Sequence, residues 1–99
     1  MVKTVEVVTY KLVAGSDPTA FVTANGKVNE WLKKQPGFMT RELSYLYDDS
    51  WLDIVHWESA NNAKQAAEKF MTELGDCECM GMINPDSTKM SHGELLLIS

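Results

Sequence analysis

The alternation of apolar and polar positions divides the chain into six segments. Residues 2–13, rich in valine and threonine, read as a strand, and Val5, Val7 and Val8 put apolar groups on both of its faces. Gly15-Ser16-Asp17-Pro18 ends it. Asp17 can cap a helix that begins at Pro18, because proline at the first helical position gives up only an amide that has no partner there. Phe21, Ala24, Val28, Trp31 and Leu32 follow at spacings of three and four, the period of a one-sided helix. Gly26 inside it weakens it by about 1 kcal/mol relative to alanine. Lys33 and Lys34 suit the negative end of its dipole, and Pro36-Gly37 stops it.

Residues 37–59 hold two runs rich in aromatic and β-branched side chains, broken once at Asp48-Asp49-Ser50, the signature of an antiparallel hairpin. Strand side chains alternate between faces, so Trp51, Asp53, Val55 and Trp57 share one face of the second run and Leu52, Ile54 and His56 the other. In the first run the sets are Met39, Arg41, Leu43, Tyr45, Tyr47 and Phe38, Thr40, Glu42, Ser44, Leu46. Neither face of the second run is plainly polar. Ser59 caps a second helix with Ala60, Ala63, Ala67, Phe70, Met71 and Leu74 on one stripe, and Gly75 breaks it. Residues 76–89 are irregular, with a turn at Asn84-Pro85-Asp86. Residues 90–99, closing on Leu95-Leu96-Leu97-Ile98, read as a strand of high burial.

Strand, helix, strand, strand, helix, strand is the order of an α+β, ferredoxin-like βαββαβ domain spanning residues 1–99. It predicts a four-stranded antiparallel sheet with both helices on one face. The other face still carries apolar side chains on at least three strands, and an exposed patch of that kind marks an association surface. Two copies packed sheet to sheet would bury it, and meeting edges would close a barrel. A homodimer is therefore expected.

Composition narrows the function. A chain of 99 residues carries one core, and its 44% hydrophobic and 23% charged content is that of a globular domain. A net charge of -5, with Lys33-Lys34 as the longest basic run, argues against nucleic acid as a partner. The longest aliphatic run, Leu95 to Ile98, is too short to span a bilayer, so no membrane is expected. The opening residues enter a strand pattern without the regions of a signal peptide, which makes a cytoplasmic location the expectation. Cys77 and Cys79 flank a single residue, close almost no loop and lack the second pair of a zinc site, so they read as reduced structural thiols with no metal. There is no paired-carboxylate motif, phosphate-binding glycine loop or nucleophile elbow.

Pro36-Gly37-Phe38, Glu42-Leu43, and Trp51 to Ser59 (WLDIVHWES) running into an alanine-rich helix resemble the antibiotic-biosynthesis-monooxygenase type of dimeric α+β barrel. By element order the resemblance covers nearly the whole chain, by motif its central part. It implies a dimeric barrel. Members include cofactor-independent monooxygenases acting on quinols and polycyclic aromatics, haem-degrading enzymes, and proteins of no known activity. The haem-degrading pattern calls for an asparagine late in the first strand, a tryptophan in the second helix and a histidine further along it. Those positions here hold Thr9 or Tyr10, Ala66 and Asp76, so haem is not expected and no cofactor is implied.

A cofactor-free oxygenase must hold an electron-rich phenol or quinol, deprotonate it and exclude water. His56 and His92, the two histidines, are the candidate catalytic residues. His56 is a base or orienting group if its strand face meets the dimer cavity, and otherwise a hydrogen-bonded residue of the sheet surface. His92 stands at the entry to the last strand, as a site residue or an exposed turn residue. Arg41, Tyr45 and Tyr47 share a face, where a guanidinium could bind an anionic aromatic and lower a phenol pKa, or simply pack across strands. Asp53, between Trp51 and Val55 on its face, completes the substrate-binding candidates as a carboxylate of raised pKa or a solvated one. Two functions follow: a cofactor-independent monooxygenase acting on a small aromatic or quinol-like compound, or a noncatalytic dimeric ligand-binding or stress-associated module.

Overall fold

A computed structural model of the chain describes residues 2–98. Its strands are β1 (Thr4–Tyr10), β2 (Phe38–Tyr45), β3 (Trp51–Trp57) and β4 (Lys89–Glu94), and every pairing is antiparallel in the order β2-β3-β1-β4. This is the ferredoxin-like arrangement. Helices α1 (Pro18–Ala24), α2 (Gly26–Lys33) and α3 (Ala60–Leu74) pack on one face, and a short α4 (Glu78–Met82) and a 3₁₀ turn (Pro85–Ser87) lead into β4. The core sits between sheet and helices: Tyr10, Trp51, Val55 and Trp57 meet Phe21, Val28, Leu32, Ala63, Ala66, Leu74 and Cys79.

Several expectations need correction. The first strand is shorter than residues 2–13 because its neighbours run out: Tyr10 faces Trp51, the first residue of β3, and Thr9 faces Lys89, the first of β4. Beyond that point Leu12 makes one bridge to Ile83. The helix expected from Pro18 onward is two. The Asn25 side-chain amide donates to the Phe21 carbonyl at 2.9 Å, beside the Asn25 backbone N–H at 3.1 Å. A short amide that competes for a backbone carbonyl, followed by glycine, is where a helix breaks. The expected cap at Asp17 forms, accepting from the Thr19 amide at 3.1 Å.

In the hairpin, Phe38 opposes Trp57 while Thr40 opposes His56. The bulge at Met39 inverts the alternation, so Phe38 joins Arg41 and Leu43 on the helix side, with its ring 5.9 Å from Trp57. Gly37, at φ 79°, turns the chain beneath α3, where a Cβ would lie 2.3 Å from the Asn62 side chain. The Ser59 cap holds, its hydroxyl accepting from the Asn62 amide at 3.2 Å. The buried stripe of α3 is Ala63, Ala66 and Leu74, with Phe70 half-buried, whereas Ala60, Ala67 and Met71 are exposed. The last strand is exposed along its length, and Leu96, Leu97 and Ile98 project beyond it. It is an edge strand with β1 as its one partner, so its aliphatic end finds no cover within one chain. Ser99, where that strand was expected to finish, lies outside the described residues. Among the described residues no helix is long and apolar enough to cross a membrane.

Candidate active site

A cavity of about 430 Å³ opens between the sheet and the helices. Its walls are Val8, Val55 and Trp57 from the sheet and Val28, Leu32, Trp31 and Phe70 from the helices. The alanines of α3 leave the room, and exposed Ala67, Met71 and Met90 stand at its rim. Polar groups enter at two patches, one on each side of Val8 and Val55.

The first patch lies under the break between α1 and α2. Arg41 Nε donates to Asp53 Oδ1 at 3.0 Å and Nη2 to Oδ2 at 2.6 Å, a two-pronged ion pair. Nη2 also donates to Asn25 Oδ1 at 2.8 Å and Nη1 to Asn29 Oδ1 at 2.9 Å. The broken helix thus supplies two amide oxygens that hold the guanidinium flat against the sheet. Burial pulls the Arg41 pKa down, but the bond and charge of Asp53 outweigh it and leave it above its ordinary value. Tyr10 lies diagonally across from Asp53, since Tyr10 faces Trp51 and Val8 faces Asp53. Burial, then the Asp53 charge, pushes the Tyr10 phenol well above its ordinary range against the opposing pull of Arg41. Cys79 completes this wall. Burial, then its contact with Cys77 at an Sγ–Sγ distance of 3.1 Å, pushes its thiol up to about 12. A thiol held protonated in this way is a poor nucleophile.

The second patch is centred on Glu6. Its Oε1 accepts from the Trp57 indole Nε1 at 3.2 Å and lies 3.3 Å from His92 Nε2. Glu6 is largely covered, with its side chain 15% exposed, while His92 on the edge strand is 41% exposed. His92 also borders a smaller pocket with Thr4, Ala60, Lys64 and Ala67, and Ala67 belongs to both pockets.

The structure brings together some of the residues singled out in sequence and separates others. Arg41 and Asp53 meet in the cavity wall, and His92 reaches its edge through Glu6. His92 lies within β4 rather than in a turn. His56 lies on the opposite face of the sheet, its Nδ1 3.2 Å from Thr40 Oγ1. Of the two readings of Arg41, Tyr45 and Tyr47, the phenol pair beside the guanidinium does not form. Tyr45 stacks on Trp51 with ring centroids 4.5 Å apart and donates to Asp49 Oδ1 at 2.9 Å. That bond raises the Tyr45 pKa. Tyr47 lies beyond the end of β2 and is fully exposed. The phenol beside the ion pair is Tyr10, which sequence reasoning passed over. Its alternation with Glu6 and Val8 gives its face, but only the register between β1 and β3 shows what it faces.

No family model matches this chain, and no curated protein does. Solved structures match over nearly its whole length. SnoaB, a cofactor-independent oxygenase from Streptomyces nogalater, is 16% identical, with a TM-score of 0.69 over 100% of this chain and 96% of its own. A candidate antibiotic biosynthesis monooxygenase from Nitrosomonas europaea is 15% identical, with a TM-score of 0.70 over 95% and 90%. The fold is that of the antibiotic biosynthesis monooxygenase-like proteins. A heme-degrading protein from Mycobacterium tuberculosis shares it, at 16% identity and a TM-score of 0.70 over 99% and 96%. Identity this low speaks for the fold and leaves activity to the site. In this chain Ala66 borders the cavity and Asp76 is exposed just past α3. The two positions compared with the haem-degrading pattern therefore carry a methyl group and a carboxylate.

Proposed function

We propose that this chain is a small homodimeric protein that binds a compact aromatic or quinol-like molecule between sheet and helices and oxygenates it without a cofactor. The cavity carries this reading. Its volume of about 430 Å³ lies within the range of small-molecule sites, and its wall is apolar except at two confined patches. In such a reaction an activated ring CH₂ becomes C=O. One atom of O₂ enters the product, the other leaves as water, and the four electrons come from the substrate. The apolar wall keeps bulk water from the deprotonated ring. The Glu6–His92 pair is placed to take the proton, because Glu6 lines the cavity and His92 connects it to solvent. Arg41 and Asp53 keep the wall in shape. On the outward face, Val5, Val7, Leu52 and Ile54 form an apolar centre beside Thr40, Glu42 and His56. A second copy packed there would bury it and place His56 at the interface.

Oxygen uptake with a panel of quinols and anthrone-type ketones tests the activity. Wild-type protein should consume oxygen, His92→Ala should lose roughly a hundredfold in rate, the scale of one acid–base group, and His56→Ala should keep its rate. No uptake with any member would overturn the reading. One observation favours the noncatalytic alternative: at the Arg41 end of the cavity the guanidinium is engaged by Asp53, Asn25 and Asn29 and Cys79 is held as a thiol, so that patch is built to hold shape rather than to react. Saturable binding without oxygen uptake would support that alternative.

A further inference from the structure

Cys77 and Cys79 have no part in the proposed oxygenation, yet the fold sets their sulfurs 3.1 Å apart, one thiol donating to the other. Side chains two residues apart do not face each other within a helix. Here Cys77 is extended, at φ -69° and ψ 154°, and α4 begins at the next residue, so the chain turns sharply between the two cysteines. That turn brings the sulfurs together. A disulfide needs about 2 Å between its sulfurs, so closure asks for a shift of roughly 1 Å. Cys79 is 1% exposed and stands in the cavity wall, within the charge fields of Tyr10 and Arg41, while Cys77 is half-buried and partly open to solvent.

The short spacing decides what kind of bond this would be. A bridge that closes so small a loop removes little freedom from the unfolded chain, so it adds little stability. Partly exposed bridges of that kind are labile, made and broken by thiol exchange. The surroundings choose the reagent. Residues 70–88 carry Glu73, Asp76, Glu78 and Asp86 and no lysine or arginine, and Asp76 and Glu78, on either side of Cys77, are exposed. An anionic disulfide is repelled there, whereas a neutral or cationic one is not.

We infer that Cys77 and Cys79 are a reversible dithiol–disulfide pair, closed by a small neutral or cationic disulfide, through which the redox state of the surroundings resets the Arg41 end of the cavity wall. This holds whatever the cavity binds. Cys77, the accessible thiol, attacks one sulfur of the reagent RSSR as its thiolate; the reagent's S–S bond breaks, and RS⁻ leaves and takes up the proton that Cys77 gave up. Cys79 then attacks Cys77 Sγ and expels the second RS⁻, which takes the Cys79 proton. The two thiols lose two electrons and two protons in all, and RSSR becomes two RSH. Burial makes Cys79 unfit to attack first, but its own step is intramolecular and starts at contact distance. Excess RSH runs both steps backwards. Closure shifts the wall beside Tyr10 and Arg41 and removes the Cys79 proton from it.

Hydroxyethyl disulfide, cystamine and dithiodiglycolate serve as the neutral, cationic and anionic probes. In excess hydroxyethyl disulfide, folded wild-type protein should lose two hydrogens by intact mass, and peptide mapping should place the bridge between Cys77 and Cys79 of one chain. Acid quenching at early times should show the adduct on Cys77. Cys79→Ala should stop at that adduct, and Cys77→Ser should gain one on Cys79 about a hundredfold more slowly. Cystamine should react about tenfold faster than dithiodiglycolate at low salt. In mixtures with mercaptoethanol, the folded chain should hold the bridge at about tenfold less disulfide, relative to thiol, than the chain in concentrated urea. On closure the Tyr10 and Arg41 amide shifts should move, and that of His56, on the opposite sheet face, should not. An adduct that persists on Cys77 in wild type, bridges between chains, an anionic probe as fast as the cationic one, a bridge equally favoured in urea, or unmoved Tyr10 and Arg41 shifts would overturn the inference. The wild-type mass and mapping decide it even if neither variant folds.

Discussion

The Arg41–Asp53 pair is the most demanding residue-scale feature, because both side chains are largely out of water, at 7% and 14% exposure. Arg41→Ala would leave the Asp53 carboxylate in that wall without its counter-charge. We expect a loss of about 3 kcal/mol or more in urea denaturation, the usual consequence of breaking a buried pair from one side. Arg41→Lys should recover only part of it, since an ammonium cannot reach both carboxylate oxygens and two amides at once. Tyr10 and Cys79 make a second prediction. Both hold their protons more tightly in the folded state, so the unfolded chain loses protons first and stability falls as pH rises. For Cys79 the fall begins near the ordinary value of 9.0 and continues to about 12, and for Tyr10 it begins near 10.0. Urea midpoints at pH 8 and pH 11 should therefore differ less in Tyr10→Phe than in wild type; an equal difference would count against the Tyr10 shift. At this scale the sequence showed Arg41 and Asp53 as separate candidates, one on each strand of the hairpin, without showing that they meet. It could not show that Asn25 and Asn29 saturate the arginine, because that depends on where a helix breaks.

At the scale of elements, two glycines separate local preference from tertiary demand. Gly26 opens α2, and a Cβ there meets nothing within 4 Å. Gly26→Ala should raise stability by about 0.5 kcal/mol, mainly by restricting the unfolded chain. Gly37→Ala should do the opposite and lower the Tm, since it combines φ 79° with a Cβ that would collide with Asn62 at the start of α3. Thermal melts of the two variants should move in opposite directions. The caps at Asp17 and Ser59 and the order of strands and helices were readable because each rests on a few neighbouring residues. The bulge at Met39 was not, since a bulge is defined by the partner strand and inverts every face assignment before it. The exposed final strand was misread for a related reason: Leu95 to Ile98 are apolar, but what covers them depends on their place at the sheet edge.

At the scale of the whole molecule, the two faces of the sheet differ in what they present. The helix side encloses the cavity, while the outward side, with Val5, Val7, Leu52 and Ile54, is the proposed dimer surface. Sedimentation at micromolar concentration should give twice the 11.1 kDa chain mass. Ile54→Asp should shift the protein to monomer, because it sets a charge at the centre of that apolar face. A wild-type monomer at those concentrations would remove the dimer from the account without touching the cavity. The central claim, that the cavity is the ligand site, is tested most directly by amide and side-chain NMR shifts during titration with α-tetralone. The account predicts shifts concentrated at Tyr10, Arg41, Val55, Trp57 and Phe70. Shifts confined to Val5, Val7 and Ile54 on the outward face, or none at saturating ketone, would contradict it.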